Sequence, residues 1–165
     1  MTTQQPQPGF SLIELLLVVA IVGIISAIAI PNFFSSRRAA NESSAVGTLR
    51  VIFSAQSTYR ATSGSGSYGD FTDLQTAGLI DPVVAASDTT AKSGYLFTTE
   101  QISGPSYPTF DATGEPTTAT GPLATGARSY FVNETGVIYF VVGGTAPTCT
   151  PNDARTIAGG NPLNN

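Results

Sequence analysis

The sequence contains no histidine, and it has a single cysteine, Cys149, among 165 residues. One cysteine cannot form a disulfide within the chain, so a small exported domain of this sequence has to be stabilised by packing. Without histidine, the commonest general base and the imidazole ligand of zinc are both missing. We therefore predict no catalytic residues, no metal site and no cofactor, and we interpret Cys149 as a passive residue near the C-terminus.

Charged residues are scarce, at 11% of the sequence, and they are unevenly distributed. The segment from Ser35 to Ala61 contains four arginines and one glutamate. The segment from Thr62 to Asn165 contains nine acidic and three basic residues. A basic segment therefore precedes an acidic head. Because proteins bind nucleic acids through lysine and arginine side chains that neutralise phosphates, no nucleic-acid partner is predicted.

Apolar residues are abundant in one block near the N-terminus. From Phe10 to Ile30 the sequence carries a single charge, Glu14. As a helix this block would extend roughly 31 Å, which is about the thickness of the hydrocarbon core of a bilayer. A single span in lipid has to satisfy its own backbone hydrogen bonds, so the sequence predicts a transmembrane helix here.

Glu14 is the unusual residue of this block, because a carboxylate one turn inside an apolar span is costly. One interpretation is a boundary residue whose side chain reaches the lipid headgroups. The other is a charge that meets a partner of opposite sign when apolar helices bundle. The position of the charge alone leaves both interpretations open.

The string Gly-Phe-Ser-Leu-Ile-Glu-Leu from Gly9 to Leu15, followed by an apolar stretch up to Pro31, resembles the class III prepilin signal of type IV pilins and type II secretion pseudopilins. The resemblance implies that a prepilin peptidase cuts after Gly9 and that Phe10 becomes the N-methylated first residue. It also implies an assembly role for Glu14, whose carboxylate would meet the amino terminus of a neighbouring subunit and set the axial register.

Gly23 and Pro31 coincide with helix-weakening positions seen in many type IV pilins. A proline inside a helix removes one hydrogen bond and clashes with the preceding turn, which predicts a kink or a locally melted turn near Pro31. The alternative is that the membrane helix simply ends at Pro31, where polar residues begin.

The orientation in the membrane follows from the resemblance and not from charge. The segment from Met1 to Pro8 has no basic residue, and the first arginines, Arg37 and Arg38, lie beyond the span. The positive-inside rule alone would place the head in the cytoplasm. The resemblance implies a head outside the cytoplasm, and we adopt that orientation because the pattern from Gly9 to Glu14 is the more specific signal.

Apolar residues beyond Pro31 recur at intervals of three and four and predict an amphipathic helix that continues to about Ala61. They are Ala45, Val46, Leu49, Ile52, Phe53 and Tyr59. The glycine-rich segment from Gly64 to Gly69 should end this helix as a flexible link. Thr72 is predicted to cap a short helix through Ala77, which Gly78 terminates.

Alternating or β-branched segments predict strands at 93–99, 106–112, 128–132 and 137–142. The second is the weakest, because Pro108 interrupts it. Asn133 to Gly136 should connect the last two strands as a hairpin, in which Gly136 takes the positive φ that such a turn needs. The loops 101–126 and 143–165, rich in Gly, Pro, Thr and Asn, are predicted to be exposed.

These predictions combine into an α+β fold in which a long N-terminal helix packs against a small antiparallel sheet, as in pilins. The boundaries are a leader at 1–9, a transmembrane and filament-core helix at 10–31, an amphipathic stem at 32–61 and a β-rich head at 62–165. The resemblance implies a structural subunit, inserted once in the inner membrane and then assembled into a periplasmic or cell-surface filament. Its implied partners are its own copies, other pilin-like subunits, prepilin peptidase, the inner-membrane assembly platform and membrane lipid.

Two alternatives remain at this stage. Ala27-Ile28-Ala29 resembles an ordinary signal-peptidase site, and cleavage there would release a soluble secreted binding protein. The aspartates of the head raise the question of calcium binding: Asp70, Asp73, Asp81 and Asp88. Their spacing does not match an EF-hand loop, which favours solvated surface positions.

Overall fold

The computed structural model describes residues 9–163, so most of the predicted leader, residues 1–8, lies outside the described residues. The chain divides into two compact units, Met1–Ser35 and Ser36–Asn165. The helices are α1 (Leu12–Ala61), α2 (Phe71–Thr76) and α3 (Pro82–Ala85). The strands are β1 (Tyr95–Ile102), β2 (Thr109–Pro116), β3 (Arg128–Asn133), β4 (Ile138–Val142), β5 (Thr148–Cys149), β6 (Ile157–Ala158) and β7 (Asn161–Pro162). The predicted α+β class, with a long N-terminal helix and an antiparallel sheet, is confirmed.

The main sheet has five strands in the order β1-β2-β3-β4-β7, and every neighbouring pair is antiparallel. One row of paired residues crosses the sheet: Phe97, Gly114, Tyr130, Phe140 and Asn161. Gly114 has a packing reason, because a Cβ atom there would lie 2.9 Å from the Phe97 ring. β5 and β6 form a separate two-stranded sheet.

The core of the second unit lies between α1 and one face of this sheet. Ala45, Leu49 and Ile52 are buried, as their spacing predicted. They share one cluster with the aromatic side chains of Tyr68, Phe71, Tyr95, Phe97, Phe110 and Tyr130. Val46, Phe53 and Tyr59 pack partly buried against the same cluster. The helix therefore supports the sheet through the stripe that the sequence indicated.

The connection from α1 to β1 differs from the prediction in its cap. Asp70, and not Thr72, is the N-cap of α2, because its backbone is extended and its carboxylate accepts a 2.8 Å hydrogen bond from the Asp73 N–H. Asp73 returns a bond to the Asp70 N–H, which completes a capping box. Gly78, with φ +71°, follows the helix as expected. Asp81 caps α3, which the sequence analysis did not predict.

The strands were predicted more accurately towards the end of the sheet than at its beginning. β1 starts at Tyr95 because Ser93 and Gly94 both have positive φ, at 51° and 74°, and form a turn. Thr109–Pro116 is β2 and pairs with both β1 and β3, which confirms the strand predicted at 106–112 over 109–112. The prediction that 101–126 is an exposed loop is wrong over this strand. The β3–β4 hairpin is confirmed, and Gly136 has φ +76°.

The segment 143–163 is also less exposed than predicted. It contains β5, β6 and β7, and β7 pairs with the edge of β4. Ala146, Pro147 and Arg155 are buried. The composition of the segment is typical of a loop, but its polar side chains bind residues of the sheet that are distant in sequence.

Candidate assembly segment

The predicted processing site lies before the helix. Gly9 and Phe10 are exposed and non-helical, and α1 begins at Leu12. The Leu15 N–H donates a 3.2 Å hydrogen bond to the Ser11 carbonyl, which marks the start of the helical hydrogen bonds. The bond between Gly9 and Phe10 is therefore not held in a helical turn. A Cβ atom at Gly9 would meet no other atom within 4 Å, so this part of the chain has room for a larger residue.

Glu14 lies in the first turn of α1, three residues after Ser11, and its side chain is exposed. The first N–H groups of a helix lack acceptors within the helix, and together they carry a partial positive charge. A serine followed three residues later by glutamate is the sequence pattern of a capping box. Glu14 thus occupies a position where a carboxylate favours the helix start, and this adds a third interpretation to the two drawn from the sequence.

The segment around these residues is apolar on all sides. By length and composition α1 contains a candidate membrane span, and none of that window is buried by the rest of the described chain. The exposed large apolar residues of the first unit are Phe10, Leu12, Ile13, Leu15, Leu16, Leu17, Val18, Val19, Ile21, Val22, Ile24, Ile25, Ile28, Ile30 and Phe33. A helix that is apolar all round requires lipid or other apolar helices as its environment.

Gly23 and Pro31 both lie inside α1. The alternative in which the helix ends at Pro31 is wrong, because the helix includes Pro31 and reaches Ala61. Proline has no N–H group, so the carbonyl of Ala27 loses the donor that residue 31 would normally supply. The Ser35 hydroxyl donates a 3.2 Å hydrogen bond to the Pro31 carbonyl. No turn between Leu12 and Ala61 is melted in the structure, and helix weakening at these two positions stays a prediction.

The five predicted site residues follow one another along a single segment of the first unit. Tertiary folding does not bring them together, and each lies where its sequence position puts it. This arrangement suits a segment that is recognised as a linear signal and then packed as a helix. It does not form a pocket of the kind that holds a substrate.

The aspartates considered for calcium have other roles. Asp70 and Asp73 form the capping box of α2, and the Asp81 carboxylate accepts a 2.8 Å hydrogen bond from the Val84 N–H. Among residues 9–163, no three side chains of His, Cys, Asp or Glu lie close enough together to hold a metal ion.

The head also contains an ion cluster around Arg155 that the sequence did not indicate. The Arg155 guanidinium donates from Nε to Glu134 at 2.9 Å and from Nη2 to Glu134 at 3.0 Å, and it also pairs with Asp111. Nη2 donates to the Phe110 carbonyl at 3.1 Å as well. The partners lie 21 and 44 residues from Arg155 in the sequence. No local pattern could have indicated such distant pairs.

Comparison with known proteins identifies the N-terminal segment. The family described as the prokaryotic N-terminal methylation motif matches residues 5–30, which include the predicted cleavage site and Glu14. The type IV major pilin protein PilA of Myxococcus xanthus is 44% identical over 63 residues. The type IV wide pilus major component PilA4 of Thermus thermophilus is 39% identical over 57 residues. The N-terminal part of the chain is similar to type IV pilins.

The pilin homology covers part of each protein. The alignments include 38% and 34% of this chain, and they span 28% and 44% of the length of the Myxococcus and Thermus pilins. No solved structure matches this chain. Ala27 and Ala29 lie within α1, and the comparisons give no support to the alternative of a secreted binding protein cut after Ala29.

Proposed function

We propose that this protein is a structural subunit of a type IV pilus, made as a precursor and assembled through its N-terminal helix. The observation that carries the proposal is the coincidence of the methylation motif at 5–30 with a helical segment that is apolar on every side. Both curated relatives are named as pilus components, which favours a pilus over the related secretion pseudopilus. The exposed apolar helix offers a surface for packing against other helices, which supports a structural role.

Processing is the first step of the proposed function. A prepilin peptidase cuts between Gly9 and Phe10, and the new amino group of Phe10 is methylated. The exposed, non-helical position of this bond supports the proposal, because no helical hydrogen bond has to break for a protease to bind it. The cut also creates a positive charge four residues before Glu14.

Assembly is the second step. Before assembly, lipid of the inner membrane surrounds the apolar helix and the head lies outside the cytoplasm. An assembly platform then transfers the subunit to a periplasmic or surface filament, where the helices of other copies or pilin-like subunits replace lipid. Since the ammonium of Phe10 and the carboxylate of Glu14 both lose water, each needs a partner of opposite charge. Pairing between neighbouring subunits satisfies both groups and fixes their register.

The mature N-terminus tests the proposal. Mass spectrometry of protein from its native host should identify methylated Phe10 as the first residue, and sheared cell-surface filaments should contain this form. A first residue at Ile30 would overturn the proposal and support the secreted alternative. Unprocessed protein in a host that carries the peptidase would also contradict it.

Variants at Gly9 test whether the peptidase recognises this residue, as distinct from a general effect of a larger side chain on the subunit. Gly9→Val should leave full-length precursor in the membrane, although the chain has space for the side chain at this position. Gly47→Val is the matched control, because a Cβ atom at Gly47 also meets no atom within 4 Å and Gly47 is not a predicted site residue. The control should be processed like the wild type.

A further inference from the structure

The last part of the chain, residues 143–163, forms what we name the C-terminal strap. It leaves the end of β4 and runs over the face of the sheet that points away from α1. In β3 the residues of this outer face, Ser129, Phe131 and Asn133, alternate with Tyr130 and Val132, which belong to the core cluster against the helix. The strap then returns to the edge of the sheet, where β7 pairs with β4.

The strap is held to the sheet and to the loop between β1 and β2 mainly by hydrogen bonds that involve side chains. The Ala146 N–H donates to Glu115 Oε1 at 2.7 Å, and the Ser129 hydroxyl donates to the Gly143 carbonyl at 2.7 Å. Asp153 accepts from the Ser106 N–H at 2.6 Å through its carboxylate and from the Tyr107 hydroxyl at 3.0 Å through its carbonyl. The strap is thus attached at several separate points.

The strap has little backbone pairing with the main sheet. β5 and β6 pair with each other, whereas the backbone bonds to the main sheet and its margin are those of β7, a 2.8 Å bond from the Leu163 N–H to the Ile138 carbonyl and a 2.9 Å bond from the Gly143 N–H to the Ala127 carbonyl. Within 143–163 Ala146, Pro147 and Arg155 are buried, and Leu163 packs partly buried against the core cluster. Segments with few buried apolar residues are the ones that open locally most easily.

Arg155 carries the largest share of the strap's attachment. Its side chain is 4% exposed, and it bonds to β2 through Asp111 and the Phe110 carbonyl and to the β3–β4 turn through Glu134. Without the guanidinium, two carboxylates would face each other with Glu100 of β1 nearby. Arg155 also has φ +44°, a left-handed conformation that costs energy for a residue with a side chain. Its partners hold it in this conformation.

From this geometry we propose that the C-terminal strap, including β7, opens as a unit while α1 and strands β1–β4 stay folded, and that the Arg155 side chain holds the strap closed. Opening uncovers Phe131 and Ser129 on the outer face of β3 and frees the edge of β4. The inference goes beyond the proposed filament role, because it concerns a movable cover on the head that requires neither processing nor assembly.

The reactivity of the Cys149 thiol can report the opening of the strap. It is the only cysteine of the chain, it lies in β5 within the strap, and its sulfur accepts a 3.8 Å hydrogen bond from the Asn133 amide. Burial raises the pKa of the thiol above its ordinary value, which suppresses the reactive thiolate while the strap is closed. Cys149 is partly buried in the closed strap, so opening increases its exposure and returns the pKa of the thiol towards its ordinary value, and both changes speed labelling.

The test measures the labelling rate of Cys149 in the full-length protein in detergent, with a maleimide reagent. Removing one partner of a buried ion pair should raise the opening equilibrium about a hundredfold or more. Arg155→Gln should therefore label faster than the wild type, up to this factor. The labelling rate of Arg155→Lys should lie between those of the wild type and Arg155→Gln, because lysine keeps the charge but lacks the planar guanidinium. Arg128→Gln, which removes the 3.7 Å pair with Glu42 on the helix side of the sheet, should label like the wild type.

Amide hydrogen exchange of the wild type provides the second measurement, which needs no variant to fold. The amides of Thr150 and Leu163 should exchange faster than those of the core strand β3, such as Val132, because they exchange through local opening. Equal exchange of strap and core amides would overturn the proposal, since the strap would then open only when the whole head unfolds. Wild-type labelling of Cys149 in a folded Arg155→Gln protein would overturn it as well.

Discussion

Gln56 of α1 donates a 2.8 Å hydrogen bond to the Thr99 hydroxyl of β1. The same amide nitrogen donates to the Gly69 carbonyl at 2.6 Å, and the amide oxygen accepts from the Gly69 N–H at 3.1 Å. The Gln56 side chain is fully buried. One amide therefore joins the helix, the following loop and the edge strand, and it satisfies backbone groups that water cannot reach.

Gln56→Met should destabilise the head by about 2–4 kcal/mol, because methionine fills a similar volume but leaves the Gly69 backbone groups and the Thr99 hydroxyl without this partner. The measurement is urea unfolding of the full-length protein in detergent, followed by near-UV circular dichroism. Ser57→Ala is the neighbouring control, since that side chain is exposed and bonds only within its own helix. Equal midpoints for both variants would show that the buried amide has no special role.

Gly136→Ala should cost more stability than Gly121→Ala, although both glycines have positive φ, at 76° and 87°. A Cβ atom at Gly136 would lie 2.8 Å from the Phe53 ring, whereas one at Gly121 would meet nothing within 4 Å. Alanine at Gly121 therefore adds only backbone strain, about 1 kcal/mol, and alanine at Gly136 adds about 1–3 kcal/mol more from overpacking. Thermal unfolding of the two variants measures the difference, and equal losses would contradict it.

The contrast between Gly136 and Arg155 shows what could be predicted from the sequence. Gly136 lies between two short β-branched segments, and this local pattern was enough to predict a hairpin. Likewise, the spacing of Ala45, Leu49 and Ile52 was enough to predict the buried stripe of α1. The assembly segment was identified for the same reason, since its string is continuous from Gly9 to Glu14.

The features that were not predicted depend on contacts between residues distant in sequence, or on which of two neighbouring residues serves as the N-cap. β2 was only weakly indicated, because Pro108 precedes it and its pairing with both β1 and β3 is not visible in the local sequence. Thr72 and Asp70 are both suitable caps, and the fold selects Asp70 because Asp73 completes its capping box. The partners of Arg155 come from two other parts of the chain, so a segment with the composition of a loop is in fact partly buried.

The stability of the head should depend on pH through Asp111. Desolvation raises the pKa of this carboxyl above its ordinary value of 3.8, and this outweighs the opposite effect of Arg155. The folded state therefore retains a proton that the unfolded state loses. The contribution of Asp111 to stability is complete below pH 3.8 and is lost as the pH rises through the pKa of the folded state.

The corresponding variant is Asp111→Asn, which keeps an acceptor for Arg155 and cannot titrate. Urea unfolding of both proteins from about pH 3 to about pH 7 gives the difference in unfolding free energy, in which other titrating groups cancel. The wild type should lose stability relative to Asp111→Asn as the pH rises. A relative gain would mean that the ion pair with Arg155 outweighs the desolvation of Asp111.

Variants of Glu14 should distinguish pairing through its charge from stabilisation of the helix start. Glu14→Gln removes the charge, but glutamine can serve at the third position of a capping box as glutamate does. Glu14→Ala removes both. Neither change should alter the folding of the head, because Glu14 belongs to the first compact unit and the core residues belong to the second.

If the carboxylate pairs with the amino terminus of a neighbouring subunit, both variants should insert and be processed but form few filaments. Removing the charge makes insertion into lipid easier, whereas in the bundle it leaves the buried ammonium of Phe10 without a partner, which costs about 3–5 kcal/mol. The measurement compares sheared surface filaments with the amount of processed protein in the membrane fraction. Filaments at the wild-type level for Glu14→Gln, together with a loss for Glu14→Ala, would assign Glu14 to the helix cap. Wild-type filament yield for both variants would leave it as a boundary residue at the lipid headgroups.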